Sequence, residues 1–276
     1  MLKQLTPFNN VVAAGGIATM DVLTNIGGKI LNRIIIQLTV LTKANLTALQ
    51  LRASDGDKGG KLILDTTGPR ADARMQYRGI AANAGFLTLD FTEIRAKTIK
   101  GQKLGSVDTR LLRTLSLEVT YAAVAGPAMV GWAEFDEATE YDKLYDAVER
   151  SLLGKCLAQA YNFAAAGTFP IKLPYGHTGG SLIKRIHFHG ATVTAAEVRK
   201  NGLIVHQSVD ALNDFLQGEY ARTPQANVYT VDFIEDGNQS GALNAAEAQS
   251  MEYYVTVNGA GNVVAELELL DPLANN

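Results

Sequence analysis

Gly27-Gly28-Lys29-Ile30-Leu31-Asn32-Arg33-Ile34 returns in altered form 152 residues later, as Gly179-Gly180-Ser181-Leu182-Ile183-Lys184-Arg185-Ile186. The stretch around it, Ala13–Leu51, aligns with Ala165–Leu203 without a gap. Ala13-Ala14-Gly15 faces Ala165-Ala166-Gly167, Ile36 faces Phe188, Thr42 faces Thr194, Leu46 faces Val198 and Leu51 faces Leu203. The likeness recurs twice more at shorter spacing. Thr88-Leu89-Asp90-Phe91-Thr92-Glu93 reads like Thr230-Val231-Asp232-Phe233-Ile234-Glu235, 142 residues on, and Leu115–Thr120 reads like Met251–Thr256, 136 residues on. Three matches in one order, with their apolar positions in phase, imply that one domain has been duplicated. The falling offset implies shorter loops in the second copy.

Each copy reads as β-strands. Ile30, Ile34, Ile36, Leu38 and Val40 fall mostly two apart, the period of a pleated strand, and Leu182, Ile186, Phe188 and Val193 nearly repeat them. Leu87, Leu89 and Phe91 alternate with polar residues, as do Leu115, Leu117 and Val119, and Val263, Ala265, Leu267 and Leu269. Turn pairs punctuate the strands: Asp55-Gly56, Gly68-Pro69, Gly126-Pro127, Asn201-Gly202, Asp236-Gly237 and Asn258-Gly259. Several short strands per copy, so punctuated, predict a two-sheet sandwich, of which the jelly roll is the eight-stranded version. Thr42–Leu46 and Thr194–Val198, the latter with Glu197 three after Thr194, predict a short helix in both copies. A longer helix is predicted over Glu140–Leu153, where Tyr141, Leu144, Tyr145, Val148 and Leu152 share one face and Gly154 suits a C-terminal cap. The predicted organisation is a first roll at 1–135, a helical linker at 136–155 and a second roll at 156–276.

Composition narrows the function. Of 276 residues, 47% are hydrophobic and only 19% charged, which suggests a surface that largely meets other protein. The net charge is −3, Lys and Arg form no run, and Lys3 is the one cation in the first ten residues. A protein that neutralises nucleic acid needs a basic patch or arm, so direct, sequence-specific nucleic-acid binding is not expected. The lone cysteine, Cys156, cannot form an intrachain disulfide and reads as a small buried apolar group. MLKQLTPFNN lacks the pattern of a signal peptide, and the apolar run Tyr121–Trp132 is short and broken by Gly126, Pro127 and Gly131, so a soluble protein is expected.

The two Gly-Gly-x-apolar-apolar-x-Arg-Ile segments, the stretch Ala-Gly-Thr-Phe-Pro-Ile-Lys-Leu-Pro at 166–174, Ser250-Met251-Glu252-Tyr253 and Val264-Ala265-Glu266 together resemble the major capsid proteins of PM2-like phages (corticoviruses), which are tailless and icosahedral, and more loosely the wider double-jelly-roll lineage. The resemblance spans almost the whole chain. It implies an all-β chain of two tandem eight-stranded jelly rolls that is a structural, non-catalytic bacteriophage capsid protein made in the host cytoplasm. It further implies homotrimers acting as pseudo-hexameric tiles of the virion shell, over an internal membrane. A penton or vertex protein and membrane-associated virion proteins are the implied partners, and calcium the implied ion between subunits. The helical linker departs from that pattern.

Sites of chemistry are sparse. His187 and His189 lie two apart on one strand face and His177 ten residues before His187; with no further Cys or acid in view they read as polar strand-face residues, not a zinc set. Ser54-Asp55-Gly56-Asp57-Lys58-Gly59-Gly60 faintly resembles a calcium loop, but Lys58 stands where an acid is wanted, so a solvated hairpin turn is the preferred reading and the metal ligands stay unknown. Gly60-Lys61-Leu62 and Gly27-Gly28-Lys29 are not phosphate loops. Asp90 with Glu93 and Asp232 with Glu235 form a repeated carboxylate pair; because it is repeated, strand-end structure is preferred over catalysis. Arg33 and Arg185 are expected to pair with acids or carbonyls at a sheet edge. Trp132, Tyr141 and Tyr145 are expected to pack between the rolls. Two competing functions are weighed: a carbohydrate- or receptor-binding β-sandwich such as a spike or lectin-like module, and an enzyme on a bicupin-like double barrel, which needs a His-rich metal set where only His187 and His189 are available. No catalytic or cofactor-binding residue is assigned.

Overall fold

We describe the protein from a computed structural model, which places residues 1–56, 60–173, 181–246 and 248–275. His177, the Gly179-Gly180 pair and Asp57-Lys58-Gly59 of the proposed loop lie outside the described residues. The strands follow the predicted alternation. The first copy contributes β1 (Leu2–Gln4), β2 (Gly16–Asp21), β3 (Ile30–Thr39), β4 (Leu46–Ser54), β5 (Lys61–Thr66), β6 (Phe86–Asp90), β7 (Val107–Asp108), β8 (Thr114–Tyr121) and β9 (Ala128–Asp136). The second contributes β10 (Leu152–Phe163), β11 (Gly167–Ile171), β12 (Leu182–His189), β13 (Val193–Lys200), β14 (Leu203–Val209), β15 (Val228–Asp232), β16 (Leu243–Asn244), β17 (Met251–Val257) and β18 (Gly261–Pro272).

Their pairing gives two jelly rolls. In the first, β1-β9-β3-β6 forms one sheet and β2-β8-β4-β5 the other. In the second, β10-β18-β12-β15 forms one sheet and β11-β17-β13-β14 the other. Lettering eight strands of each roll B to I in chain order gives sheets B-I-D-G and C-H-E-F both times, the jelly-roll order. The extra strands also correspond, since β7 and β16 both pair with the D strand, β3 and β12. Each roll closes over its own core. Leu31, Ile34, Ile36, Leu49, Leu117 and Val119 belong to one core; Ile186, Phe188, Val231, Val255, Leu267 and Leu269 belong to the other.

The rolls share finer detail than order. Register shifts occur between Leu31 and Arg33 of β3 and between Ile183 and Arg185 of β12. Further shifts match between Leu46/Ala48 and Val193/Ala195, and between Leu51/Arg52 and Val198/Arg199. A bulge bends a strand and re-aims its side chains, so three bulges at matching places are strong structural support for duplication. The bulge residues Asn32 and Lys184 each accept, through their carbonyls, the amide of the residue after a G strand, Phe91 and Phe233.

The rolls are not separate in their sheets. Edge strand β5 of the first roll runs parallel to edge strand β10 of the second, with Leu64 opposite Cys156, so one sheet of each roll merges into a single nine-stranded sheet. Of the six α-helices among the described residues, α1 (Leu23–Ile26) and α3 (Ile99–Lys103) are short loop helices. The important pair is α2 (Gly68–Tyr77) and α6 (Asp210–Glu219), each sitting between the F and G strands of its roll.

Two helix expectations need correction. Thr194–Val198 is not helical but lies in β13; only its counterpart forms a turn, a 3-10 helix at Lys43–Asn45 with a capping box between Thr42 and Asn45. The gapless alignment fails here because the β12–β13 turn is shorter than the β3–β4 loop, so Leu46, Thr42 and Leu51 do not correspond to Val198, Thr194 and Leu203. The linker is not one helix either. It breaks into α4 (Ala138–Leu144) and α5 (Ala147–Ser151) because Tyr145 is extended (φ −128°, ψ 142°) and Asp146 starts a new helix, in a capping box with Glu149. Val148 is therefore 72% exposed, and Leu152 and Gly154 belong to β10. Gly154 is not a helix cap. A Cβ there would stand 2.3 Å from the Phe91 carbonyl oxygen, so glycine permits β10 to lie against the first roll.

Candidate functional site

The chemistry of this chain concentrates where α2 of the first roll lies on the second. Alternation along β12 and β18 sends Ile186, Phe188, Ala265 and Leu267 into the core and leaves Arg185, His187, His189, Glu266 and Glu268 on the opposite face. That outward face is not solvated. The helix α2 covers it with Arg70, Arg74 and Tyr77, and Arg78 follows at the helix end. Four guanidiniums (Arg74, Arg78, Arg185, Arg222) and five carboxylates (Asp90, Glu93, Asp232, Glu266, Glu268) are each at most 9% exposed.

Arg185 is the hub. Its guanidinium is fully buried and donates to Glu93 at 2.7 Å, Asp232 at 2.8 Å and Glu268 at 2.9 Å. Glu93 comes from the first roll, so this hub ties the two rolls together. Arg78 adds Glu268 at 2.7 Å and Asp90 at 3.5 Å. Arg74 reaches Glu268 at 3.4 Å and Glu266 at 3.6 Å and also contacts the Cys156 thiol; Arg70 meets Glu266 at 3.3 Å. Arg222 approaches Asp232 at 3.4 Å, and the Tyr77 hydroxyl donates to Asp232 at 3.0 Å.

Burial alone would drive these carboxyls up. For Glu93 the Arg185 and Arg78 guanidiniums outweigh burial and hold it at about 2. For Glu266 burial is likewise outweighed, by the His189 ring at 3.3 Å and by Arg74, again to about 2. Glu268 falls well below its usual range, the burial effect being overcome chiefly by Arg78. Burial wins at Asp90, which is raised, and at His187, which is lowered and so favours its neutral form. Buried charges survive only when paired, and removing one partner of such a pair is far costlier than forming the pair is rewarding. The seam therefore fixes one relative placement of the two rolls.

The predicted residues sort as follows. Asp90 and Asp232 do end strands: each Oδ1 accepts a backbone amide two residues on, from Thr92 and Ile234, both at 2.9 Å. Glu93 and Glu235 diverge, the first buried in the seam, the second only half-buried and in no salt bridge among the described residues. Arg185 is no sheet-edge residue; it lies at the centre of the seam, whereas Arg33 keeps the simpler role, pairing with Glu134 through Nε at 2.7 Å on a partly exposed face. His187 and His189 do have acids beside them, Glu268 at 3.5 Å and Glu266 at 3.3 Å, and point out of the roll, not into a barrel interior as a bicupin metal set would. Among the described residues of the single chain no group of three or more His, Cys, Asp or Glu is placed to hold a metal ion. Tyr141 and Tyr145 pack with Ile30 of the first roll, and Trp132 lies on the outer face of β9 with Nε1 donating to Gln37, so none of the three lies between the rolls.

Sequence reading missed Arg74, Arg78, Arg222, Glu266 and Glu268. A signal was present: Arg70, Arg74 and Arg78 fall four apart, one basic stripe on α2, and Glu266 and Glu268 interrupt an otherwise apolar strand. Alternating acids read as a solvent face, and only the three-dimensional cover by α2 reverses that.

Comparison with known proteins agrees with this architecture. A structure of the major capsid protein P2 from bacteriophage PM2 superposes at a TM-score of 0.84, with 20% identity, over 99% of this chain and 97% of that one. An atomic structure of Sulfolobus turreted icosahedral virus gives a chain with a TM-score of 0.71 at 15% identity, over 100% of this chain and 91% of that one. A quasi-atomic model of the PBCV-1 virus capsid gives 0.60 at 13% identity, over 98% and 94%. No curated protein matches the sequence. The family model for the viral coat protein P2 N-terminal domain matches residues 2–136 and that for its C-terminal domain matches 153–273. The chain belongs to the viral coat protein P2 family, a family of structural coat proteins of the virion shell and not of enzymes.

Proposed function

We propose that the protein is a major capsid subunit that works as a homotrimer, three chains giving a ring of six rolls that tiles an icosahedral bacteriophage shell over an internal membrane. One observation carries this. Within the chain, the F edge of one roll (β5) meets the B edge of the next (β10), a head-to-tail contact that leaves a B edge, β1, and an F edge, β14, unused among the described residues. A head-to-tail contact closes into a ring when its rotation divides a full turn. A step of about one sixth of a turn per roll closes with six rolls, hence three chains. The absence of any run of Lys or Arg suits a shell separated from its genome. A vertex protein and membrane-associated virion proteins complete this reading as partners, and a calcium ion between copies belongs to it only as an added proposal, tested by whether EDTA changes the native mass. Native mass spectrometry of the purified chain should give a species at three times 29.6 kDa. A monomer at high micromolar concentration would overturn the reading.

A further inference from the structure

The helix α6 is inverted relative to an ordinary surface helix. Its inward residues are amides: Asn213 and Gln217 are buried and donate to the Thr230 carbonyl on the free edge of β15. Its apolar stripe faces outward, with Leu212 50%, Phe215 63% and Leu216 39% exposed. An apolar stripe of this kind marks a surface awaiting a partner.

The duplicated architecture says which one. Strand F, helix and strand G keep a single spacing of 142 residues in the two rolls, so α2 and α6 correspond position by position. Ala71 and Met75, buried in α2, correspond to Asn213 and Gln217; Arg70 and Arg74, which reach the neighbouring roll, correspond to Leu212 and Leu216. On the receiving face, β12 corresponds to β3 and β18 to β9. Arg185 sits opposite Glu268 as Arg33 sits opposite Glu134, and His187 opposite Glu266 as Ile35 sits opposite Trp132.

The substitutions are matched across the contact. Where α2 carries Arg70 and Arg74, its receiving face carries Glu266 and His187. Where α6 carries Leu212 and Leu216, the corresponding face carries Trp132 and Ile35. A charged helix meets a charged sheet within the chain; an apolar helix would meet the apolar Trp132 and Ile35 in the next copy. One charge contact is retained. Glu93 pairs with Arg185 at 2.7 Å, and their counterparts are Glu235, which has no salt bridge among the described residues, and Arg33.

We infer that the α6 face, through Leu212, Leu216 and Glu235, docks on the outer β3–β9 face of a second copy of this chain, against Trp132, Ile35 and Arg33, with edge β14 beside that copy's β1. The contact between chains thus repeats the contact between rolls, with an apolar latch in place of the ionic one. An apolar latch avoids the cost of stripping water from charged groups when separate chains dock, whereas inside the chain the charged partners are tethered from the start.

This inference rests on the ring proposed above, and its test separates the two. Sedimentation velocity is run on the parent, on Trp132→Glu, on Leu216→Arg and on the double variant. All the altered side chains are at least partly exposed in the single chain, and thermal melting of each variant checks that it folds. Each single change places an unpaired charge in the contact and should weaken association on the order of a hundredfold or more. The double variant recreates the Arg74–Glu266 pairing in the chain-to-chain contact and should recover trimer. Single variants that fold and associate like the parent would overturn the assignment of this face while leaving the trimer standing. A parent that never associates would remove the ring itself.

Discussion

Arg33 and Arg185 occupy the same place in the two rolls, directly after matching bulges, yet the structure gives them different weights. Replacing each by Met in turn measures that difference. Arg185 is 0% exposed and holds three buried carboxylates at 2.7 to 2.9 Å, one of them from the other roll. Breaking a buried ion pair by removing one partner costs about 3–5 kcal/mol. Arg78 still holds Glu268, and Arg222 still approaches Asp232, which keeps the cost within that range. Arg33 has one strong partner on a face where both side chains keep about a quarter to a third of their exposure, and such a pair contributes up to about 1 kcal/mol. At about 2–4 °C per kcal/mol, Arg185→Met should melt roughly 6–20 °C below its parent and Arg33→Met within about 4 °C. Differential scanning calorimetry in the Leu216→Arg background, at a concentration where sedimentation shows a monomer, reads both. Equal losses for the two, or an Arg185→Met melt within 2 °C of its parent by that same measure, about one kcal/mol or less, would refute the seam as the fastener between the rolls.

Three more outcomes follow from the same geometry. Glu93 and Glu266 sit at about 2 in the folded chain and Glu268 is held well below the usual carboxylate range, whereas unfolded glutamates titrate at about 4.3, so the unfolded chain binds protons first as the pH falls. Their stabilisation is complete above about pH 5 and drains away towards pH 2; His187, lowered by burial, starts the loss near about pH 6.5, and Asp90, raised by burial, offsets part of it. Urea midpoints should therefore drop steadily from pH 7 to pH 3, and a flat profile would contradict the pairing described. Gly154→Ala drives a methyl group to 2.3 Å from the Phe91 oxygen and should lower the unfolding free energy by more than about 1 kcal/mol, read as a lower denaturant midpoint, with an unchanged midpoint as the contrary result. Cys156 is buried and its thiol is pushed up by that burial, so a thiol-specific chromogenic reagent should label it only after unfolding; rapid labelling of the native chain would place it elsewhere.

The duplication was legible because strand cores repeat with period two, and Ile34/Ile186 or Leu117/Tyr253 hold their places whatever the loops do. Loops were less legible. Thr194 with Glu197 has the local look of a helix start, but Val193 and Val198 are claimed by the second core, and tertiary burial overrides a local cap. In the linker, the stripe from Tyr141 to Leu152 hid a second start signal, Asp146 with Glu149, that divides it in two. The seam was half legible. Arg185, Asp232 and Glu93 stood out by repetition, but a polar strand face looks the same in sequence whether water or another roll covers it. Their partners Glu266, Glu268 and Arg74 needed the fold, because only the β5–β10 junction brings α2 over β18.

The central claim, that the chain-to-chain contact repeats the roll-to-roll contact, is tested most directly by imaging the assembled tile by electron cryo-microscopy at side-chain resolution. The expected map has six lobes, with each α6 on the β3–β9 face of the next chain and Leu216 against Trp132. A tile in which α6 faces solvent, or in which β14 and β1 of neighbouring chains lie far apart, would contradict it.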